Sequence, residues 1–185
     1  MKKYSLLLLL SFVLFGCSPK NYQSTKVSSQ ASADIDARLK QLNIQLVEPS
    51  VPTANFVKTV RVGNLIFTSG HGPDKPEGGT YQGRVGADLT IEQGQEAARL
   101  TGIALLSSLK KEIGDLSKVK RIVKVLGMVQ CTPEFKDHPK VMNAFSDMMV
   151  GVFGEKGKHA RSAVGMSALP GNIAIEIEMI VEVEN

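Results

Sequence analysis

Ile173-Ala174-Ile175-Glu176-Ile177-Glu178-Met179-Ile180-Val181-Glu182-Val183-Glu184 is the stretch that decides the fold. Successive side chains of an extended chain point to opposite faces. Ile173, Ile175, Ile177, Met179, Val181 and Val183 therefore share one apolar face. Ala174, Glu176, Glu178, Ile180, Glu182 and Glu184 share the other. A period of two held this long predicts a strand buried on one side only.

Working outward, Leu169-Pro170-Gly171-Asn172 supplies a turn, and Ser162 to Ser167 a strand before it. Pro139 to Val152 spaces Val141, Phe145, Met148, Met149 and Val152 as one face of a helix, and Gly154 to Gly157 breaks it. Val119 to Val129 has strand-like density, stopped by Cys131-Thr132-Pro133. Thr90-Ile91-Glu92-Gln93 has the form of a capping box, followed by Ala97, Leu100, Ala104, Leu105 and Leu109 at helical spacing and Gly114 as C-cap. His71 to Asp88 is dense in Gly and Pro and predicts a loop. Phe56 to Val62 and Leu65 to Ser69 predict a hairpin turning at Gly63-Asn64. The order β-β-α-β-α-β-β gives an α+β class, a mixed sheet with two helices packed on one face. The other face of such a sheet needs a partner, which favours an oligomer.

The N-terminal stretch has a different character. Lys2 and Lys3 precede a short apolar run that ends Leu14-Phe15-Gly16-Cys17, the layout of a secretory signal closing on a lipobox-like cysteine. This predicts a signal peptide over 1–16 and lipidation at Cys17. A Ser, Gln, Lys and Asn-rich flexible tether over 17–33 and one domain over 34–185 follow. Ser18 after that cysteine lacks the aspartate associated with inner-membrane retention, so the expected place is the periplasmic side of the outer membrane. The 185 residues carry 22 basic and 18 acidic side chains; removing residues 1–16 takes two lysines and no acid, which lowers the net charge from +4 to +2. Lys118, Lys120, Arg121 and Lys124 are the densest basic cluster, but strand alternation splits them across two faces. No nucleic-acid partner is expected. His71, His138 and His159 lack metal-site spacing, so no metal is expected. Gly78-Gly79, Gly83 and Gly86 precede no Lys-Ser/Thr pair and make no phosphate loop. Cys131, with Cys17 lipidated, is expected as a buried free thiol.

Ala160-Arg161-Ser162-Ala163-Val164-Gly165-Met166, Leu169-Pro170 and Ile175-Glu176-Ile177-Glu178 together resemble the Rid/YjgF reactive-intermediate-deaminase family, also labelled endoribonuclease L-PSP or chorismate-mutase-like. Gly63-Asn64, Thr68-Ser69-Gly70 and Asn143 support the match, which runs from about Leu46 to Val183. The resemblance implies a chorismate-mutase-like homotrimer with ligand clefts between subunits. It also implies hydrolysis of reactive 2-imino acids to 2-oxo acids plus ammonia, with no metal or organic cofactor. Residue by residue, Arg161 corresponds to the arginine that binds the substrate carboxylate and Glu176 to the glutamate that positions water. Ser69, Gly70 and Asn143 correspond to cleft residues, and Ala163 stands where a cysteine contributing mainly its backbone is frequent. Phe56 stands where the family has a tyrosine, so a hydroxyl is missing.

The chemistry fits these residue types. A planar guanidinium matches a carboxylate bidentately, which an ammonium cannot copy. A carboxylate in a cleft can take a proton from water and pass it to a leaving nitrogen. The bland alternatives are a surface ion pair for Arg161 and a solvated acidic face for Glu176, which shares its face with Glu178, Glu182 and Glu184. His159, two residues before Arg161, is a further candidate for the cleft. Three functions compete: an imine hydrolase, a non-catalytic module binding small carboxylates through Arg161, and an endoribonuclease. Phe56 separates the first two, and a basic groove would be needed for the third.

Overall fold

A computed structural model describes residues 21–75 and 77–184. The signal stretch over 1–16 and the lipidation at Cys17 lie outside the described residues. Helix α1 spans Asn21–Gln41, strands β1 and β2 span Thr59–Val62 and Leu65–Thr68, and helix α2 spans Ile91–Ile113. Strand β3 (Val119–Gln130), helix α3 (His138–Phe153), and strands β4 (Ala160–Met166) and β5 (Ile175–Val183) follow. The five strands form one sheet in the order β1-β2-β5-β3-β4. β1/β2, β2/β5 and β3/β5 pair antiparallel, whereas β3 and β4 pair parallel. The parallel pair requires a crossover, and α3 provides it.

The alternation in β5 has the expected consequence: Ile175, Ile177, Met179, Val181 and Val183 are all buried. Against them α2 packs Ala97, Leu105, Leu106 and Leu109, while α3 contributes Val141, Met142, Phe145, Met149 and Val152 to the same core. Each of the larger side chains contributes about 1.5–3 kcal/mol by leaving water. Two glycines let the layers close. A Cβ at Gly102 of α2 would run into the Met148 side chain, and one at Gly127 of β3 into Met142.

The local signals also materialise. Thr90 Oγ1 accepts from Gln93 N–H at 3.2 Å while Gln93 Oε1 accepts from Thr90 N–H at 2.9 Å, a reciprocal capping box. Gly114 closes α2, its N–H donating to Lys110 O at 2.8 Å. In the hairpin Val62 faces Leu65 across Gly63-Asn64. Gly63 has φ +60°, the first-position geometry of a type II′ turn, which explains Gly-Asn rather than Asn-Gly.

Three expectations need correction. The first strand begins at Thr59, not Phe56: the Phe56 N–H turns back to Ala54 O at 2.9 Å instead of joining the ladder. The last strand begins at Ile175, because Ile173 bridges Gln82 of the 71–88 loop and Pro170–Asn172 form a 3₁₀ turn. The third concerns the polar segment expected as a tether. It is helical from Asn21, so there are three helices rather than two. From Asn21 to Gln41 the chain contains no Pro or Gly, and the helix docks through the part that follows the expected tether: Leu39 is buried, Ile35 and Leu42 pack against the core, and Arg38 Nη1 donates to Val152 O at 3.2 Å. Arg99 of α2 finishes the helix by donating to the Leu42 and Asn43 carbonyls at 3.2 and 3.0 Å.

Candidate functional site

Arg161 lies on β4, an edge strand, opposite Val125 of β3. Val125 is fully buried beneath the helices, so Arg161 points to the helix-covered side. There its Nη1 donates to Ser146 Oγ at 2.9 Å and to Asn143 Oδ1 at 3.1 Å. Asn143 and Ser146 are three apart on α3 and so share a face. Among the described residues no carboxylate pairs with Arg161, although six other ion pairs form. The bland reading of Arg161 as half of a surface ion pair therefore fails. His159, two residues earlier on the same side, reaches Ser146 Oγ with Nε2 at 3.1 Å and Gly157 O with Nδ1 at 2.7 Å. Burial holds the His159 pKa below its ordinary value; the Gly157 carbonyl opposes this and the Arg161 charge adds to it. Ala163 follows on the same strand face, over Gly127.

Glu176 lies elsewhere. It sits opposite Met128, whereas its neighbour Ile175 is buried under the helices, so Glu176 projects from the uncovered face of the sheet. It is half-buried, its side chain lying against Gly70, where the chain runs alongside β5 with His71 bridging Ile177; a Cβ on Gly70 would collide with the carboxylate. Burial pushes its pKa up, and Glu178 on the same face adds to the shift. A carboxyl group held this way ionises reluctantly and can trade protons. Ser69 precedes Gly70, its N–H donating to Lys58 O at 2.9 Å. Phe56 stands 47% exposed in the loop before β1.

The expected residues thus gather into two clusters, Arg161 with Asn143 and Ala163, and Glu176 with Ser69 and Gly70. They face opposite sides of the sheet. Sequence reasoning passed over Ser146, although its spacing from Asn143 carried the signal. It also passed over the pairing of buried His71 with Ser108 of α2, at 2.8 Å, on the wall of a cleft of about 250 Å³. Burial lowers the His71 pKa, so the ring is a neutral hydrogen-bonding element tying the 71–88 loop to α2. Cys131 is buried and free, 3.3 Å from His138 Nε2, and burial pushes its thiol pKa up. The basic cluster is partly spent internally: Lys120 pairs with Glu182 at 2.9 Å and Lys118 Nζ donates to Ile113 O. Among the described residues, no group of three or more His, Cys, Asp or Glu converges as a metal site would require.

Comparison with known proteins agrees with this architecture. The YjgF/chorismate mutase-like family model matches residues 36–183. Protein TCP17 of Trypanosoma cruzi is 39% identical over 160 residues, covering 86% of this chain and 100% of the relative. The 2-iminobutanoate/2-iminopropanoate deaminase of Escherichia coli K12 is 31% identical over 125 residues, covering 68% of this chain and 84% of the relative. Among solved structures, Atu1372 of Agrobacterium tumefaciens superposes with a TM-score of 0.78 at 38% identity, covering 84% of this chain and 97% of that one. The mixed sheet, its crossover helices and these relatives make the conclusion plain: the chain belongs to the YjgF/chorismate mutase-like family, the Rid family.

Proposed function

We propose that the protein binds small 2-imino and 2-oxo acids and hydrolyses reactive imines to the 2-oxo acid plus ammonia. The observation that carries this reading is the Arg161 guanidinium, braced by two neutral oxygens and left without a carboxylate of its own among the described residues. Such a group is a ready partner for a ligand carboxylate. A deaminase of 2-imino acids among the relatives supports the substrate class. In the proposed reaction Arg161 holds the carboxylate and places the C=N carbon beside a water. The water oxygen adds to that carbon while Glu176 takes a water proton and hands it to the nitrogen. The hydroxyl of the resulting carbinolamine then passes its proton through the same carboxyl group to the amine nitrogen, and the C–N bond breaks to release ammonia and leave the 2-oxo acid.

Because Arg161 and Glu176 face opposite sides of one sheet, this reaction takes Arg161 from one copy and Glu176 from another. We therefore propose a homotrimer whose clefts lie between copies, with the uncovered sheet face buried inside it. That face exposes Val60, Val62, Phe67 and Val164. A lipid on Cys17, anchoring the trimer to the outer membrane from the periplasmic side, completes the proposal, on the strength of Leu14-Phe15-Gly16-Cys17. If Cys17→Ala leaves the protein in the membrane pellet on cell fractionation, the anchor is wrong.

A second reading, a carboxylate-binding module without catalysis, is favoured by Phe56, which offers a ring without a hydroxyl. One experiment separates the two: an imine generated in situ is supplied to the purified protein and release of the 2-oxo acid is followed. Accelerated release supports the hydrolase. Binding of the 2-oxo acid without acceleration, with turnover appearing in Phe56→Tyr, supports the module.

A further inference from the structure

We infer that His159 is a positioning residue for the Arg161 guanidinium and acts through the Ser146 hydroxyl. The inference rests on the reading of Arg161 as the carboxylate site and adds to it the device that aims the guanidinium.

The hydrogens can be placed by elimination. Nδ1 of His159 lies 2.7 Å from the Gly157 carbonyl, which can only accept, so Nδ1 carries the ring proton. In the neutral ring Nε2 is then an acceptor, and the group 3.1 Å from it is the Ser146 hydroxyl. That hydroxyl donates its single proton to His159. Its oxygen is thereby left as an acceptor toward Arg161 Nη1 at 2.9 Å. A helical serine without such a partner turns its proton to the carbonyl four residues back. His159 thus fixes the orientation in which Ser146 can hold the guanidinium. With Asn143 Oδ1 on the same nitrogen, one end of the guanidinium is pinned and the rest is available to a ligand. The surroundings keep the ring neutral. Arg161 is the charge acting on it from β4, α3 presents the Phe145 ring edge-on at 5.9 Å, and the 3₁₀ turn Gly154–Gly157 presents only a carbonyl.

The test is a double-mutant cycle on binding of 2-oxobutanoate to the intact protein, with thermal unfolding as the check on folding. His159→Leu keeps the bulk and removes the acceptor, and should weaken binding about five- to tenfold. Ser146→Ala should cost about the same, and the double variant no more than either alone, because all three break one chain. His159→Gln, whose Oε1 can replace Nε2 as acceptor, should recover most of the affinity. Losses that add in the double variant, or a His159→Gln as weak as His159→Leu, would reduce His159 to a packing residue and overturn the inference. Unchanged binding in both single variants, with Arg161→Ala still weakened, overturns it too and leaves the carboxylate site standing. If Arg161→Ala binds as wild type does, the site itself is misplaced.

Discussion

At the scale of single residues, Arg161 carries the most testable chemistry. In the proposed reaction Arg161→Ala removes a charge-assisted contact to the ligand carboxylate, worth about 1.5–3 kcal/mol. Calorimetry should show 2-oxo acids binding roughly ten- to a hundredfold more weakly. Arg161→Lys should recover little, since a point charge replaces neither the braced nitrogen nor the fork. Glu176 makes a different prediction, through pH. Its folded-state pKa is raised by burial and by Glu178, whereas in the unfolded chain it ionises in the ordinary carboxylate range. Between those two values the folded state binds more protons than the unfolded one, so stability falls as pH rises through this window. Glu176→Gln escapes that loss. It should unfold at a higher temperature than wild type at neutral pH, with the gain vanishing below the ordinary carboxylate range. The same variant should still bind 2-oxo acids and lose imine turnover, with the acid limb of the wild-type pH profile lying above that range.

At the scale of elements, the capping box of α2 gives a clean test. Thr90→Ala removes the side-chain acceptor of the Gln93 amide, leaves the bond from the residue-90 N–H to Gln93 Oε1 in place, and should cost about 1 kcal/mol, read as a lower denaturation midpoint with an unchanged slope. Such local devices were legible in the sequence, as were the Gly63-Asn64 turn and the alternation of β5, because each is a short-range pattern with one physical cause. Helix α1 was not legible. Its composition is that of a solvated segment, and what orders it is tertiary: Leu39 in the core, Arg38 on the Val152 carbonyl, and Arg99 on the carbonyls beyond its C-terminal end. The division of the site escaped for a related reason. Each residue could be placed on its own strand face, but the register of β4 and β5 against β3 decides whether Arg161 and Glu176 share a side, and no local pattern sets that register.

At the scale of the whole molecule, the sheet has one face sealed by helices and the other open, with Val60 at 50% exposure and Val62 at 60%. Sedimentation velocity of the chain from Asn21 onward should show a trimer at micromolar concentration. Phe67→Glu, which puts a charge in the middle of the open face, should shift the trimer to monomer. A monomeric wild type would overturn the proposed cleft between copies. Placing Arg161 and Glu176 on opposite faces also has a consequence for heredity. In the proposed ring each cleft borrows one residue from each neighbour, so two defective alleles can repair one another. Cells expressing Arg161→Ala and Glu176→Gln together should assemble mixed rings in which roughly a quarter of the clefts draw both sound halves. Either allele alone gives none. The two lesions would then complement one another, and cells carrying both would outperform cells carrying either alone.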